Sequence, residues 1–207
     1  MKVINHTLGV CATNCYIVVN EKSNEALIID PGEKAKFFLP HLQKLDVTPV
    51  AILLTHGHFD HAGAVAELAS QYNIPVMAHE AEKSTLEDSN INLSGPFLGH
   101  PVSYHVDEFL RDEQELDLAG FHIRVLHTPG HTAGGCCFYF SYENCVFTGD
   151  TLFAESVGRT DFPGGSMSTI VNSIKTKLMV LPDATVVYPG HNEPTTIDNE
   201  RMYNPFL

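Results

Sequence analysis

The chain has 207 residues, of which 43% are hydrophobic and 18% charged, a composition that is typical of globular proteins and excludes a disordered or fibrous one. Its 12 basic and 25 acidic residues give a net charge of −13, which disfavours nucleic acid as a partner because a polyanion is normally bound by a surplus of Lys and Arg. No apolar run approaches the ~20 residues of a membrane span, and the first residues lack the apolar stretch of a secretory signal. We therefore expect a cytoplasmic protein with no membrane partner.

Short apolar runs rich in β-branched residues alternate with helical stretches along the whole chain. The sequence predicts strands at 2–7, 14–19, 26–30, 50–55, 75–78, 121–127, 136–141, 145–148 and 185–188. It predicts helices at 33–45, 62–72, 81–88, 168–180 and 193–200. Pro40 falls inside the first of these helices and should kink or split it. The order of elements predicts an α/β fold in one domain over residues 1–207, with two sheets and helices on their outer faces.

A histidine-rich loop, T-H-G-H-F-D-H-A-G, begins at the end of the predicted strand 50–55. His56 and His58 are two positions apart, so in an extended loop both side chains emerge on the same side. Asp60 and His61 lie where the chain turns into the next helix, and they can face a second point nearby. Because imidazole and carboxylate groups suit zinc, iron and manganese, this loop predicts ligands for two neighbouring metal ions.

Three more ligand candidates follow the ends of other predicted strands. His131 follows strand 121–127, Asp150 follows strand 145–148, and His191 follows strand 185–188. Open α/β sheets gather ligand sites at the carboxyl ends of their strands. A lone His in such a place is more often a capping or solvent residue, and Asp150 alone could be an N-cap. Together with the histidine-rich loop, however, these residues predict a metal centre.

These motifs resemble those of the metallo-β-lactamase superfamily, and specifically of its glyoxalase II-like branch. The resemblance implies an αββα sandwich with a two-metal site at one sheet edge. By that match the first metal would be held by His56, His58 and His131, and the second by Asp60, His61 and His191, with Asp150 bridging the two. Asp60 and Asp150 would then be the catalytic carboxylates. The cofactors would be two divalent metal ions, with zinc preferred and iron or manganese as alternatives.

The resemblance also points to residues outside the ligand set. Asp30 begins a D-P-G segment that resembles an early acidic motif supporting the ligand loop, although a strand-ending turn would look the same. The segment G-R-T-D-F-P-G-G at 158–165 resembles that of short glyoxalase II-like hydrolases and of persulfide dioxygenases. Within it, Arg159 would bind an anionic substrate group or brace the site, the alternative being a local ion pair with an acid such as Asp161. Phe153 and Phe162 are candidate substrate contacts.

Two further features bear on the substrate. Asp150 stands where β-lactamases of the family tend to carry Cys, which argues against antibiotic hydrolysis. Larger glyoxalase II enzymes add a helical domain that grips glutathione, whereas this chain ends at Leu207 soon after His191. The acyl and thiol parts of the substrate are therefore left open.

Thioester hydrolysis is the leading hypothesis, with a small-molecule thioester such as an S-2-hydroxyacylglutathione as substrate. The metals would supply hydroxide and polarise the carbonyl. A thiolate, whose parent thiol has a pKa of about 8.5, leaves without strong acid help. A mononuclear iron persulfide dioxygenase using His56, His131 and Asp150 is the main alternative. A lactonase and a nuclease are weaker ones, and the oligomeric state is left open.

The cysteines are not expected to take part in the chemistry. Five are present, an odd number without a C-x-x-C pair, which predicts reduced thiols rather than a disulfide framework. Cys136 and Cys137 are adjacent in an apolar strand, so their side chains should face opposite ways and pack.

Overall fold

The structure, a computed structural model, describes residues 1–32 and 35–207. Its strands are β1 (Lys2–Leu8), β2 (Thr13–Val19), β3 (Glu25–Ile29), β4 (Thr48–Leu53), β5 (Val76–His79), β6 (Glu108–Leu110), β7 (Glu115–Leu118), β8 (Phe121–His127), β9 (Cys136–Phe140), β10 (Cys145–Gly149), β11 (Leu152–Phe153), β12 (Ser156–Val157), β13 (Val186–Pro189) and β14 (Thr195–Thr196). Its helices are α1 (Ala35–Leu45), α2 (Phe59–Ala62), α3 (Val65–Tyr72), α4 (Lys83–Glu87), α5 (Ser94–Leu98), α6 (Met167–Ser173) and α7 (Ile197–Tyr203), with a 3₁₀ turn at Glu80–Glu82 and a π-helical turn at Ile174–Leu178. None of the helices in these residues is long and apolar enough to cross a bilayer.

The strands form two six-stranded sheets and one short hairpin. The first sheet has the order β1-β2-β3-β4-β5-β6, antiparallel from β1 to β3 and parallel from β3 to β6. The second has the order β14-β13-β10-β9-β8-β7, in which only β10 and β13 run parallel. The hairpin pairs β11 with β12.

Successive side chains of the buried strands point to opposite faces of their sheet, and they pack into three separate apolar layers. In β2, Ile17 packs with Phe38 of α1 on the outer face of the first sheet. Its neighbour Val18 packs with Phe138 of β9 between the two sheets. On the far side of the second sheet, Val146 packs against α6 and the turn that follows it. The layers therefore run helix, sheet, sheet, helix, and the predicted αββα sandwich is confirmed.

The adjacent cysteines of β9 lie in two different layers. Cys136 is buried between the sheets, and Cys137 is buried under the outer helices. Burial raises the pKa of the Cys137 thiol to about 12, so it stays protonated. All five cysteines are free thiols, as the odd count predicts.

Two predicted helices differ from the observed ones. The predicted helix 62–72 is two helices, α2 and α3, because α2 closes around the histidine-rich loop before Gly63 and a new helix begins at Val65. The predicted helix 193–200 is wrong in its first half: Thr195 and Thr196 pair with β13 as strand β14. The Thr196 hydroxyl then accepts a hydrogen bond from the Asn199 amide, so the helix starts later and continues to Tyr203.

Helix α1 runs unbroken through Pro40, which corrects the expectation of a split. Its first two predicted positions, 33 and 34, lie outside the described residues. The proline removes the hydrogen bond to the carbonyl of Lys36. Lys36 is exposed, so that carbonyl can bind water instead, while Phe38 and Leu42 keep the helix on the sheet.

Between β5 and β8 the predicted helix 81–88 is observed as the 3₁₀ turn and α4, but the sequence does not predict β6, β7 or α5. The strand β6 has three residues, E-F-L, and β7 has four, E-L-D-L. Both are edge strands of their sheets, and their pairing depends on the neighbouring strand rather than on their own composition. Helix α5, S-G-P-F-L, is likewise too short to have a periodic pattern.

Candidate metal centre

The predicted ligands converge where strands of both sheets end. The histidine-rich loop follows β4 of the first sheet, and the other three candidates follow β8, β10 and β13 of the second. Two backbone hydrogen bonds join the sheets here, from the Cys136 amide to the Thr55 carbonyl (2.9 Å) and from the Asn14 amide to the Gly190 carbonyl (2.7 Å). The fold thus holds four separate loops against one another.

Three buried histidines form the first donor set. His56, His58 and His131 each offer one ligand nitrogen, and these atoms all lie within 4.8 Å of one another. Nε2 of His131 lies 2.9 Å from Nδ1 of His58. Two ring nitrogens at this separation can both face one cation. These are the residues that the resemblance assigns to the first metal.

A carboxylate and two histidines form the second donor set. Asp60, His61 and His191 also bring one ligand atom each to within 4.8 Å of the others. His61 is fully buried, whereas Asp60 and His191 are partly exposed. The hydroxyl of Thr13 donates a 2.9 Å hydrogen bond to Oδ2 of Asp60 and so orients that carboxylate.

Asp150 lies between the two donor sets. Its Oδ1 is 3.3 Å from Nε2 of His61. Its Oδ2 is 3.5 Å from Nε2 of His131 and 3.4 Å from Nε2 of His191. A single carboxylate is therefore within reach of both groups, and the structure brings together every residue that the sequence proposes as a ligand.

Several of these donor atoms are buried without a hydrogen-bond partner among the described residues. They are His56 Nε2, His61 Nε2 and Asp150 Oδ1. A buried polar atom without a partner costs about 1–3 kcal/mol, and so many in one place are unusual for a folded protein. Lone pairs of this kind are what zinc, iron or manganese accept, so the donor set fits a pair of metal ions.

Hydrogen bonds from behind fix the orientation of two ligand rings. Asp30 accepts from Nδ1 of His61 (3.0 Å), from the Thr55 amide (2.8 Å) and from the Thr55 hydroxyl (2.6 Å). Nδ1 of His131 donates to the carbonyl of Arg159 at 2.8 Å. In both rings Nδ1 carries the proton, which leaves the Nε2 lone pair for a metal.

Glu82 is a functional candidate that the sequence analysis missed. Its side chain is fully buried, and it accepts hydrogen bonds from the Gly57 amide (2.9 Å), the Thr132 hydroxyl (2.9 Å) and the Gly134 amide (2.7 Å). It thereby ties the loop of His58 to the loop of His131. Burial raises the pKa of Glu82, and these donors act against that rise. A Glu in a segment with a helical pattern has no signal that separates it from a surface residue.

Two histidines of the first donor set, His56 and His58, are kept neutral by their surroundings. Burial lowers the pKa of His56 well below 6.5 and, with the neighbouring His131, lowers the pKa of His58 to about 3. Neutral imidazoles have free lone pairs at physiological pH. Protonation therefore does not compete with a metal at these two rings.

The second set holds protons when no metal is bound. Burial disfavours the charged form of His61, but the carboxylates of Asp150 and Asp60 outweigh it and raise the pKa of His61 well above 6.5. Burial likewise disfavours ionised Asp150, but His61 and His191 outweigh it and lower the pKa of Asp150 well below 3.8. A divalent cation would replace this positive charge.

Gly190 is required by the close approach of its backbone to the ligands. A Cβ atom there would lie 2.3 Å from Oδ1 of Asp150 and 2.8 Å from Cε1 of His61. Any side chain at this position would push a ligand out of place. The glycine therefore belongs to the site although it contributes no donor atom.

The two predicted substrate phenylalanines lie at the rim. The ring of Phe162 is 6.0 Å from the ring of His58, and the ring of Phe153 is 6.0 Å from that of His191. Arg159 does not offer a free guanidinium. It makes a two-point ion pair with Asp161, with both hydrogen bonds at 2.7 Å, and lies 3.8 Å over the Phe162 ring. This is the local ion pair that the sequence analysis gave as the alternative.

The chain is similar to known proteins over most of its length. The sequence model of the metallo-beta-lactamase superfamily matches residues 8–191. A Bacillus subtilis protein named "Probable metallo-hydrolase YqgX" is 38% identical, with 100% of this chain and 98% of that protein covered. A Haemophilus influenzae protein named hydroxyacylglutathione hydrolase GloC is 38% identical, with 94% of this chain and 92% of that protein covered.

Two solved structures share the whole fold. BLEG-1, a B3 metallo-beta-lactamase, is 40% identical with a TM-score of 0.94, covering 100% of this chain and 99% of its own. TTHA1623, solved in a di-iron-bound form, is 38% identical with a TM-score of 0.86, covering 99% of this chain and 100% of its own.

Proposed function

We propose that this chain, which belongs to the metallo-beta-lactamase superfamily, is a metal-dependent hydrolase that cleaves thioesters. The observation that carries the proposal is the place of Asp150, whose two carboxylate oxygens lie within 3.5 Å of histidines from both donor sets. A carboxylate in that place supports two ions side by side. Zinc is the preferred metal, with iron or manganese as alternatives. An S-2-hydroxyacylglutathione is the first substrate to test.

The metal ions and the residues of the chain would have different roles in the reaction. Divalent metal ions bound here would supply hydroxide near neutral pH and polarise the substrate carbonyl. The residues of the chain hold the donor atoms in place: Asp30 fixes the ring of His61, and the Arg159 carbonyl fixes the ring of His131. Phe162 and Phe153 lie at the rim, next to the rings of His58 and His191.

The donor chemistry favours a thioester over an amide. Asp60 and Asp150 are both occupied as proposed ligands, so neither is free to protonate a leaving group. A thiolate needs no such proton because the pKa of its parent thiol is only about 8.5. The name of the 38% identical GloC supports the same reaction class.

A β-lactam is the second candidate substrate. It is favoured by one observation, the 40% identity to BLEG-1 over the whole chain. Opening a β-lactam requires a proton for the nitrogen, whereas a thiolate can leave without one. A thioester therefore stays first.

Persulfide oxidation by one iron ion is less well supported than hydrolysis. The triad of His56, His131 and Asp150 would suffice for it. That reaction leaves Asp60, His61 and His191 unused, although they form a complete second donor set.

The test is a substrate panel on protein reconstituted separately with zinc and with iron. The panel contains S-2-hydroxyacylglutathione, a neutral thioester, a lactone and a β-lactam, and oxygen uptake is measured with a glutathione persulfide. We expect thioester cleavage to exceed every other reaction. Cleavage of none of the thioesters, or oxygen uptake faster than any hydrolysis, would overturn the proposal.

A further inference from the structure

A cleft beside the second donor set has a mostly apolar wall. Its volume is about 380 Å³, and Asp60 is the proposed metal ligand among its lining residues. The apolar side chains that line it are those of Leu8, Val10, Phe59, Leu98, Val102 and Tyr104. Val10 and Leu98 are well exposed, at 96% and 42%, so part of this wall faces solvent when nothing is bound.

Aromatic rings extend the apolar surface from this cleft to the first donor set. Phe97 is 59% exposed and stacks on Phe59, with the ring centres 5.6 Å apart. The edge of Phe97 also meets Phe162 at 6.2 Å, and Phe162 lies 6.0 Å from His58. An apolar surface thus reaches from one donor set to the other, and large exposed apolar patches mark binding sites.

A second apolar cavity adjoins the first on the side of α3. It has a volume of about 620 Å³ and shares the lining residues Gly63, Val102 and Tyr104 with the cleft. Ala66 and Ala69 of α3 also line it, and their small side chains leave the space open. A substrate arm longer than the cleft could continue along this surface.

The charged groups around the centre are acidic. Glu67 lines the apolar cleft together with Asp60, and Glu193 lines a separate cleft of about 440 Å³ beside His191. Among the described residues that line these clefts there is no Lys or Arg. The nearby cation Arg159 is already paired with Asp161. Apart from the ring of His100, which also lines the apolar cleft, a carboxylate on the substrate would therefore meet acids here.

We propose that the cleft binds an apolar, uncharged arm of the substrate, so that the site prefers thioesters without carboxylates in their thiol part. This inference rests on the proposed thioester hydrolysis and narrows its substrate class. Glutathione brings two carboxylates and one ammonium group, a net negative charge, toward acidic walls, whereas a neutral thiol of similar reach brings no charge. An apolar arm would also gain binding free energy, because packing against Phe59, Leu98 and Val102 removes it from water.

The test compares two substrates that differ only in the thiol. The same 2-hydroxyacyl group is placed on glutathione and on N-acetylcysteamine, and kcat/KM is measured with zinc-loaded protein. We expect kcat/KM to be about tenfold or more higher for the neutral thioester, which corresponds to 1.4 kcal/mol. On N-acetylcysteamine, an octanoyl group should give a lower KM than an acetyl group. Equal or faster cleavage of the glutathione thioester would overturn the inference.

Binding without turnover separates this inference from the proposed function. The non-cleavable thioethers S-octyl-N-acetylcysteamine and S-octylglutathione are titrated into metal-free protein by calorimetry. Tighter binding of the neutral thioether supports the apolar cleft even if no thioester is hydrolysed, in which case only the proposed function fails. Tighter binding of S-octylglutathione would contradict the cleft assignment while leaving thioester hydrolysis standing.

Matched variants locate the effect. Leu98→Arg puts a cation on the exposed wall of the cleft and should shift the preference toward the glutathione thioester, mainly through KM. Val180→Arg is the control: Val180 is 68% exposed and precedes the amino end of β13, the end opposite to the metal centre. An unchanged preference in Leu98→Arg would count against the cleft.

Lys34 lies outside the described residues, so Lys34→Ala is assayed with the same two thioesters. A selective loss of glutathione thioester turnover in Lys34→Ala would contradict the inference.

Discussion

At the scale of single residues, the centre is built from buried polar groups that destabilise the folded chain when no cation is bound. Nε2 of His56 is buried without a hydrogen-bond partner among the described residues, and Nε2 of His61 faces Oδ1 of Asp150 at 3.3 Å. A buried polar atom without a partner destabilises the metal-free fold. The side chains behind them, above all Asp30, hold the rings in the tautomer that a metal needs.

Replacing Asp150 with Ala tests the residue that both donor sets share. We expect thioester hydrolysis to fall by at least ~100-fold, since loss of an outer hydrogen-bond partner of a metal ligand alone costs up to that much. The far-ultraviolet circular dichroism should stay unchanged because the strands do not depend on this side chain. Asp117→Ala, at an 88% exposed side chain on β7, is the control. Activity retained in Asp150→Ala would refute the two-metal arrangement.

Glu82→Gln tests the buried carboxylate that joins two ligand loops. A glutamine replaces one acceptor oxygen by an N–H₂ group, so at least one of the amides of Gly57 and Gly134 or the Thr132 hydroxyl loses its acceptor. We expect a loss of about 1–3 kcal/mol in the free energy of unfolding and a 10- to 100-fold weaker zinc affinity.

The measurement for Glu82→Gln is chemical denaturation of the metal-free protein together with a chelator competition for zinc. Glu80→Gln is the matched control, because Glu80 is exposed and, among residues 1–32 and 35–207, pairs with Arg111 alone, at 3.5 Å. Glu82→Gln with the zinc affinity of the native protein would show that Glu82 does not position the ligands.

At the scale of elements, the ligands depend on how the strands end. Four loops from two sheets meet, and they are held by hydrogen bonds between backbone groups such as the Asn14 amide and the Gly190 carbonyl. The loop after β13 approaches so closely that only glycine fits at 190. The positions of the ligands are thus properties of the loops as well as of the side chains.

Gly190→Ala should disturb the centre without removing a ligand. The added Cβ would overlap Oδ1 of Asp150 at 2.3 Å, so we expect zinc affinity to fall at least about tenfold. Gly99→Ala is the control, because no described atom beyond its chain neighbours lies within 4 Å of a Cβ there, and its cost should be limited to about 1–2 kcal/mol of stability from its left-handed backbone. Zinc affinity is read by competition with a chelating dye. Equal affinities in the two variants would contradict the proposed packing.

The long elements and the ligand loops could be predicted from the sequence, because the apolar–polar alternation of a seven-residue strand such as β8 and the spacing of His56 and His58 are local patterns. Two other features depend on contacts outside such local patterns. Strand β14 exists because β13 pairs with it, and Glu82 is buried because the loops of Gly57 and Thr132 close over it. The pairing of Arg159 with Asp161 was one of two local alternatives that composition does not separate.

At the scale of the whole molecule, metal binding should stabilise the sandwich because the ligands come from both sheets. A ligand that binds only the folded state adds RT ln(1 + [L]/Kd) to the free energy of unfolding. We therefore expect the midpoint of thermal unfolding to fall on chelation and to recover with added zinc. Protein carrying Asp150→Ala should recover less. A midpoint that chelators do not change would contradict a metal centre within the fold.

The same stabilisation should depend on pH. In the metal-free fold the pKa of His61 is raised well above 6.5 by Asp150 and Asp60, in spite of burial, so a proton must leave before a metal binds. Zinc affinity should therefore decline as the pH falls, and the decline should begin above pH 6.5, where an ordinary histidine would still be neutral. A titration of affinity against pH that stays flat down to pH 6.5 would contradict this coupling.

The most direct test of the central claim is the rate of thioester hydrolysis measured while zinc is added stepwise to chelator-stripped protein. The proposed centre predicts no hydrolysis at the start and a rate that rises until two zinc ions are bound per chain. Hydrolysis by the stripped protein, or a rate that is complete with one ion, would contradict a reaction carried out by two metals between His56, His61 and Asp150.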